Sequence, residues 1–181
     1  MKQAELDRWL PDPSIRTRHR RVARADPDAV WDAAASLRMD QTRTLGRLVQ
    51  WRIPGTPPDI GFRGLLASHP FTVLDEGERW SVSGLCGRIW TTRDDYPDVD
   101  AEQYLTWDES GTVRVLFANW VQEEPDGRSA IVSEARVQPT DRRAQWALKA
   151  LWVTVSPFER LIGAEPLSLV VRMAEESSAT P

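Results

Sequence analysis

Two pairs of polar residues in this chain have types and spacing that could support chemistry. His19 and Arg21 lie two apart in IRTRHRRVAR (Ile15–Arg24), so on a strand they share a face with Ile15 and Thr17. If that face looks inward, the imidazole can act as a general acid or base near neutral pH, and the guanidinium can hold a carboxylate. The opposite face carries Arg16, Arg18 and Arg20 and reads as the solvent side. Asn119 and Ser133 form the second pair, on strands joined by Glu124-Pro125-Asp126-Gly127-Arg128, the clearest hairpin turn in the chain. With Glu124 facing Arg128, Asn119 falls opposite Ser133 and Val121 opposite Ile131. Val113, Val115, Phe117, Asn119, Val121, Ile131, Ser133, Ala135 and Val137 then make an apolar inner face. Arg114, Leu116, Ala118, Trp120, Val132, Glu134 and Arg136 look outward. Asn119 and Ser133 would orient a ligand in an apolar pocket, or else bond to each other or to a buried water.

Other residues carry less. Glu134 and Arg136 share a face and read as a surface ion pair. Cys86, the single cysteine, sits between Gly84 and Gly87 and reads as a small buried apolar residue. It permits no internal disulfide or multi-cysteine metal site. Asp94, Asp95, Asp98 and Asp100 lack the glycine and terminal glutamate of an EF-hand and read as a solvated loop. With two histidines, His19 and His69, no metal site is expected, and no nucleotide-binding or hydrolase motif points to a cofactor.

Composition narrows the classes further. The 181 residues carry a formal charge of −4, which gives no electrostatic case for nucleic acid. No apolar run reaches the length of a membrane span, so no stable membrane insertion is expected, and a cytoplasmic location is. Lys2 and Lys149 are the only lysines, so the arginine-rich first strand reflects composition and a solvated face. The chain holds 9 tryptophans without a repeat period, suited to a core or to the walls of an apolar cavity.

The element that must organise these residues is Asp141–Glu176. From Ala144 to Val155 it is apolar on nearly every side, which calls for cover on more than one side. To Ser156 it spans about 24 Å, with breaks expected at Ser156-Pro157 and Pro166. Asp26-Pro27 starts a helix to Leu37, and Thr42–Trp51 a second, with Leu45, Leu48 and Val49 at helical spacing. After a loop at Pro54–Pro58 and a helical turn at Phe62–Ser68, Phe71–Leu74 and Arg79–Thr92 read as strands around a turn at Asp75-Glu76-Gly77. Ala101–Trp107 reads as another strand. The glycines at 84 and 87 mark a bend or a close approach to the backbone. One domain is expected, with residues 1–14 as an N-terminal extension, 15–176 as its body and 177–181 as a disordered tail.

Three stretches in this order, ADPDAVWDAA (Ala25–Ala34), SGLCGRIWTT (Ser83–Thr92), and SEARV with the helix bearing VSPFERLI (Ser133–Ile162), resemble the superfamily of START lipid-transfer domains, Bet v 1-like proteins and polyketide cyclase/dehydrases, and within it a bacterial branch. Gly163, Glu165 and Pro166 depart from it, standing where similar chains continue a basic helix. The resemblance implies an α+β helix-grip fold: a curved antiparallel sheet wrapped around a long C-terminal helix, with two short helices after the first strand. It also implies an apolar cavity and no universal catalytic residue. The expected function is binding of a small hydrophobic or amphipathic ligand by Val115, Phe117, Asn119, Ser133, Ala135, Trp146, Trp152, His19 and Arg21. The alternatives are an enzyme of cyclase or dehydratase type using His19, Arg21 or Asn119, or a homodimer with a filled cavity that associates through Trp120, Leu116 and Val132.

Overall fold

Five antiparallel strands form one sheet in the order β1-β5-β4-β3-β2. They are β1 (Ile15–Ala23), β2 (Thr72–Gly77), β3 (Trp80–Gly87), β4 (Val113–Glu123) and β5 (Ser129–Pro139). The computed structural model describes residues 3–53, 55–91 and 96–179. Across the β4–β5 hairpin Asn119 pairs with Ser133 and Val121 with Ile131, the register that the turn dictates. Between β2 and β3 the strand runs on through Gly77, so the turn falls at Glu78-Arg79 rather than at Asp75-Glu76-Gly77. Helices α2 (Pro27–Ser36), α3 (Thr44–Arg52) and α4 (Phe62–Leu66) follow β1. Asp26 accepts the Ala29 N–H as the N-cap of α2, with Pro27 in the first turn. This is the helix-grip arrangement, closed by one long C-terminal helix, α6 (Arg142–Ser178).

Helix α6 continues through both Pro157 and Pro166, where breaks were expected. Each proline removes one amide donor, but tertiary packing holds the helix at both ends. Ala144 and Leu148 are buried at its start, Leu148 against Val113, Val115 and Val137 of the sheet. Towards its end, Leu167, Val170 and Ala174 pack with Val30, Trp31 and Ala34 of α2. Asp141 caps it, accepting the Ala144 N–H at 2.7 Å. The helix is not covered on every side. Trp146 is 71% and Val153 76% exposed, with the Lys149 ammonium over the Trp146 ring. One stripe is enough to dock it, and the remaining apolar positions face outward.

The outer face of the sheet differs most from expectation. Leu116, Ala118, Val132 and Trp120, the last 3% exposed, are buried there, with Leu6, Trp9 and Leu10 from the chain start and Val99 and Tyr104 in the same core. Trp120 therefore offers no dimer patch. Helix α1 (Gln3–Asp7) and helix α5 (Ala101–Thr106) supply this cover. The latter replaces the strand expected over Ala101–Trp107: Asp100 accepts the Gln103 N–H while the Gln103 side chain accepts the Asp100 N–H, a capping box that starts a helix. Gly84 is the point of close approach, since a Cβ there would lie 2.8 Å from Cδ2 of Tyr104.

Glu134 and Arg136, expected in solvent, are each 1% exposed beneath this layer. The Glu134 carboxylate accepts from Arg136 Nε at 2.7 Å and from Arg16 Nη2 at 3.1 Å. Arg136 Nη1 donates to Asp7 at 2.6 Å and to the Leu10 carbonyl at 2.8 Å. The segment from Leu6 to Leu10 is thus fastened to the sheet by charge as well as by burial. The arginines of β1 are not merely solvated either. Arg20 pairs with Glu124, and Arg18 lies over the Trp120 ring. Asp94, Asp95, Thr180 and Pro181 lie outside the described residues, and α6 runs into the expected tail as far as Ser178.

Candidate functional site

The inner face of the sheet is packed at its two ends and left open in its middle. At one end Val121 and Ile131 join the cluster of α2 and the last turns of α6. At the other, Val113, Val115 and Val137 pack with Leu148. Between them lies a cavity of about 360 Å³. Its floor includes Thr17 and His19 of β1, Phe117 and Asn119 of β4, and Ser133 and Ala135 of β5. Its other walls come from Leu45, Leu48 and Val49 of α3, Phe62, Leu65 and Leu66 of α4, and Trp152, Val155 and Leu167 of α6. Phe117, Ser133 and Ala135 keep accessible surface although they sit mid-sheet, because they border this space, with the Phe117 ring edge-on to Phe71.

Of the residues singled out in the sequence, Val115, Phe117, Asn119, Ser133, Ala135, Trp152 and His19 line this space. Two do not. Trp146 stands on the outer side of α6, where its ring is exposed. Arg21 shares the parity of His19 but is exposed, with its guanidinium on the Arg20 carbonyl, although Ala23 further along the same face is buried. The first strand's inward face is therefore Ile15, Thr17, His19 and Ala23, and its inner cation is lost to solvent.

Apart from Thr17, the polar groups of the floor fall into one row. His19 is the register partner of Ser133, Ser133 of Asn119, and Asn119 of Ser81. Four adjacent strands, β1, β5, β4 and β3, thus contribute one polar side chain each at the same level. Asn119 is buried, and its Oδ1 has no hydrogen-bond partner. An unmet acceptor in an apolar setting is destabilising, which makes it a point of interest rather than filler. A second space of about 20 Å³, bordered by Ser81 and Asn119, adjoins the first and has room for about one water molecule. His19 is held by contact with α6. A Cβ on Gly163 would run into its ring, so the residue that breaks the helical pattern of the sequence is the one that lets helix and strand meet.

Helix α3, which sequence reading placed correctly but did not assign to the cavity, is tied down by Glu165. The carboxylate accepts the backbone N–H groups of Arg43 at 2.7 Å, Thr44 at 2.9 Å and Leu45 at 3.2 Å. Burial pushes this carboxyl up, but the three amides outweigh it and hold it below its ordinary value. Cys86 is on the other side of the sheet, in the outer core. Burial pushes its thiol up to about 12, against a small opposing effect of Arg114, so it is no nucleophile. Among the described residues no group of His, Cys, Asp and Glu could hold a metal ion, and no helix is long and apolar enough to cross a membrane.

No family model and no curated protein matches this chain. Solved structures similar to it include the Zhui aromatase/cyclase from Streptomyces sp. R1128, at 14% identity over 92% of this chain and 96% of that one, with a TM-score of 0.34. Norcoclaurine synthase from Thalictrum flavum is similar at 14% identity over 92% and 87% of the two chains, with a TM-score of 0.39. A protein from Thermus thermophilus is similar at 12% identity over 91% and 100%, with a TM-score of 0.36. At these identities and scores the likenesses say nothing of ligand or reaction, and the site has to be read from its own residues.

Proposed function

We propose that this chain binds a small hydrophobic or amphipathic molecule in the cavity between its sheet and α6. The observation that carries the reading is the cavity itself: about 360 Å³ left empty at the centre of the inner face, with walls that are almost entirely hydrocarbon. Folded interiors are otherwise close-packed. Its volume lies in the range of small-molecule pockets, which are mainly apolar with a few placed polar groups. The test is native mass spectrometry of freshly purified protein, followed by organic extraction. A stoichiometric non-covalent adduct of low mass supports the reading. A clean apo mass that persists after exposure to apolar compounds contradicts it.

His19 favours a second reading, an enzyme in which the same cavity shapes a reactive ligand. The imidazole sits in the wall beside Ser133 and is fixed by Gly163. On this reading His19→Ala abolishes turnover of a bound ligand without loss of its binding or of stability. If His19→Ala leaves the fate of a bound ligand unchanged, the enzyme reading falls and the binding reading stands.

A further inference from the structure

The floor of the cavity is bounded at both ends along the strands, which narrows the class of ligand; the inference rests on the binding reading above. We infer that the cavity takes a compact amphipathic molecule lying along the strands, with its polar end beside Ser133, and that Leu148 fixes its length by stopping the hydrocarbon end.

Three strands line the space over matching spans. On β1 the span is Ile15 to His19, on β5 Ser133 to Val137 and on β4 Val115 to Asn119, and the registers set these side by side. The residue steps from Val115 to Asn119 make the floor about 13 Å long. One edge is the row Ile15, Val137, Val115 and Leu85, which crosses β1, β5, β4 and β3 and carries no polar side chain. Behind it Leu148 of α6 is buried against Val113, Val115 and Val137 and closes that end. The opposite edge holds His19 and Ser133, and beyond it Val121 and Ile131 pack with Leu167.

The two edges differ in chemistry. Ser133 lines the space and is only half-buried, and among the described residues its hydroxyl makes no hydrogen bond, so the group is open to a partner in the cavity. A serine hydroxyl donates and accepts, so it can meet an alcohol or a carbonyl. At the Leu148 edge a polar group would shed its hydration and find no partner. The hydrocarbon end therefore points towards Leu148, and a chain longer than the floor has to fold back or leave the cavity.

Isothermal titration of the full chain with 1-alkanols from hexanol to tetradecanol, in single-carbon steps, tests this. Affinity should rise about fourfold with each carbon, the gain from burying one methylene, and level off once the chain matches a floor of about 13 Å. Leu148→Ala opens space behind Val115 and Val137 and should carry the rise on by about three carbons, the number the substitution removes. Because that variant empties part of the core, Val137→Phe serves as its converse. The new ring projects into empty space, and the rise should stop about two carbons earlier or more. Ser133→Ala should weaken every alkanol about fivefold, the loss of one hydrogen bond, without moving the break. A break that stays at the same length in Val137→Phe, or in a folded Leu148→Ala, overturns the inference. Unchanged affinities in Ser133→Ala also overturn it, and would put the polar end elsewhere. Each of those outcomes leaves the binding reading intact, whereas failure of every alkanol to bind overturns both.

Discussion

Changing Glu134 to glutamine keeps the shape of the side chain and removes its charge, which tests whether the ionic chain on the outer face is structural. In the native protein that carboxylate holds Arg136 Nε at 2.7 Å and Arg16 Nε at 2.9 Å. Arg136 is as deeply buried as its partner, and without the charge of Glu134 its remaining anion is Asp7, which is 41% exposed. Removing one partner of a buried ion pair costs about 3–5 kcal/mol. Residual compensation from Asp7 and partial hydration of Arg16 place the expectation near the lower bound, about 3 kcal/mol. For a chain of this length that is roughly 6–12 °C in Tm, a large fraction of the ~5–15 kcal/mol that typically holds a domain together. Urea unfolding followed by tryptophan fluorescence reads it directly. The double variant Glu134→Leu/Arg136→Met should lose less than the sum of the two single variants, since it leaves no buried charge unpaired. A loss below about 1 kcal/mol for Glu134→Gln is what an exposed pair would give, and it would refute the burial of this network beneath α1.

Helix α3 should loosen in acid. Its clamp, Glu165, has a folded-state carboxyl pKa below the ordinary 4.5, so its contribution is fully present above that value and is lost as the pH falls through the lower folded-state value. Hydrogen exchange at Thr44 and Leu45 should therefore accelerate relative to the sheet once the pH falls through that lowered value, and Glu165→Gln should show the loosened state already at neutral pH; protection that is equal in both proteins at all pH values speaks against the clamp. Cys86, buried with its thiol raised to about 12, should not react with a thiol reagent at pH 8 until the protein unfolds, as scored by intact mass. Gly163→Val should displace the His19 ring and weaken ligand binding by about tenfold, while unchanged affinity in a stable Gly163→Val protein would remove His19 from the site.

The parts of this structure that local pattern dictates were legible in the chain. The turn around Pro125–Gly127 sets the β4–β5 register, and with it the inner face that bears Phe117, Asn119, Ser133 and Ala135. Asp26-Pro27 starts α2, whereas the inward face of β1, left open by the sequence, is decided by packing, which half-covers Ile15, Thr17 and His19 and exposes Arg16, Arg18 and Arg20. What escaped was decided by packing between segments far apart. The burial of Glu134 and Arg136 depends on Asp7 and Leu10, more than a hundred residues away, and charge alone argues for solvent. Helix α5 did leave a signal, the Asp100–Gln103 capping box, beneath a run that otherwise reads as β. Trp146 illustrates the opposite error: a bulky apolar side chain on an apolar helix is not thereby inside. The row His19–Ser133–Asn119–Ser81 needed the registers of β1 with β5 and β3 with β4, which no turn in the sequence specifies.

Blocking the cavity from its floor tests the central claim most directly. Ala135 lies mid-sheet between Thr17 and Phe117, and its side chain borders the empty space. Titration of the protein with N-phenyl-1-naphthylamine, an uncharged probe that brightens in apolar surroundings, should show saturable binding at one site. Ala135→Phe should abolish that binding without lowering stability, since the new ring fills space that is empty in the wild type, and Trp146→Ala on the outer side of α6 should leave it unchanged. Binding that survives Ala135→Phe, or that disappears with Trp146→Ala instead, would contradict the account and move the ligand from the cavity to the surface.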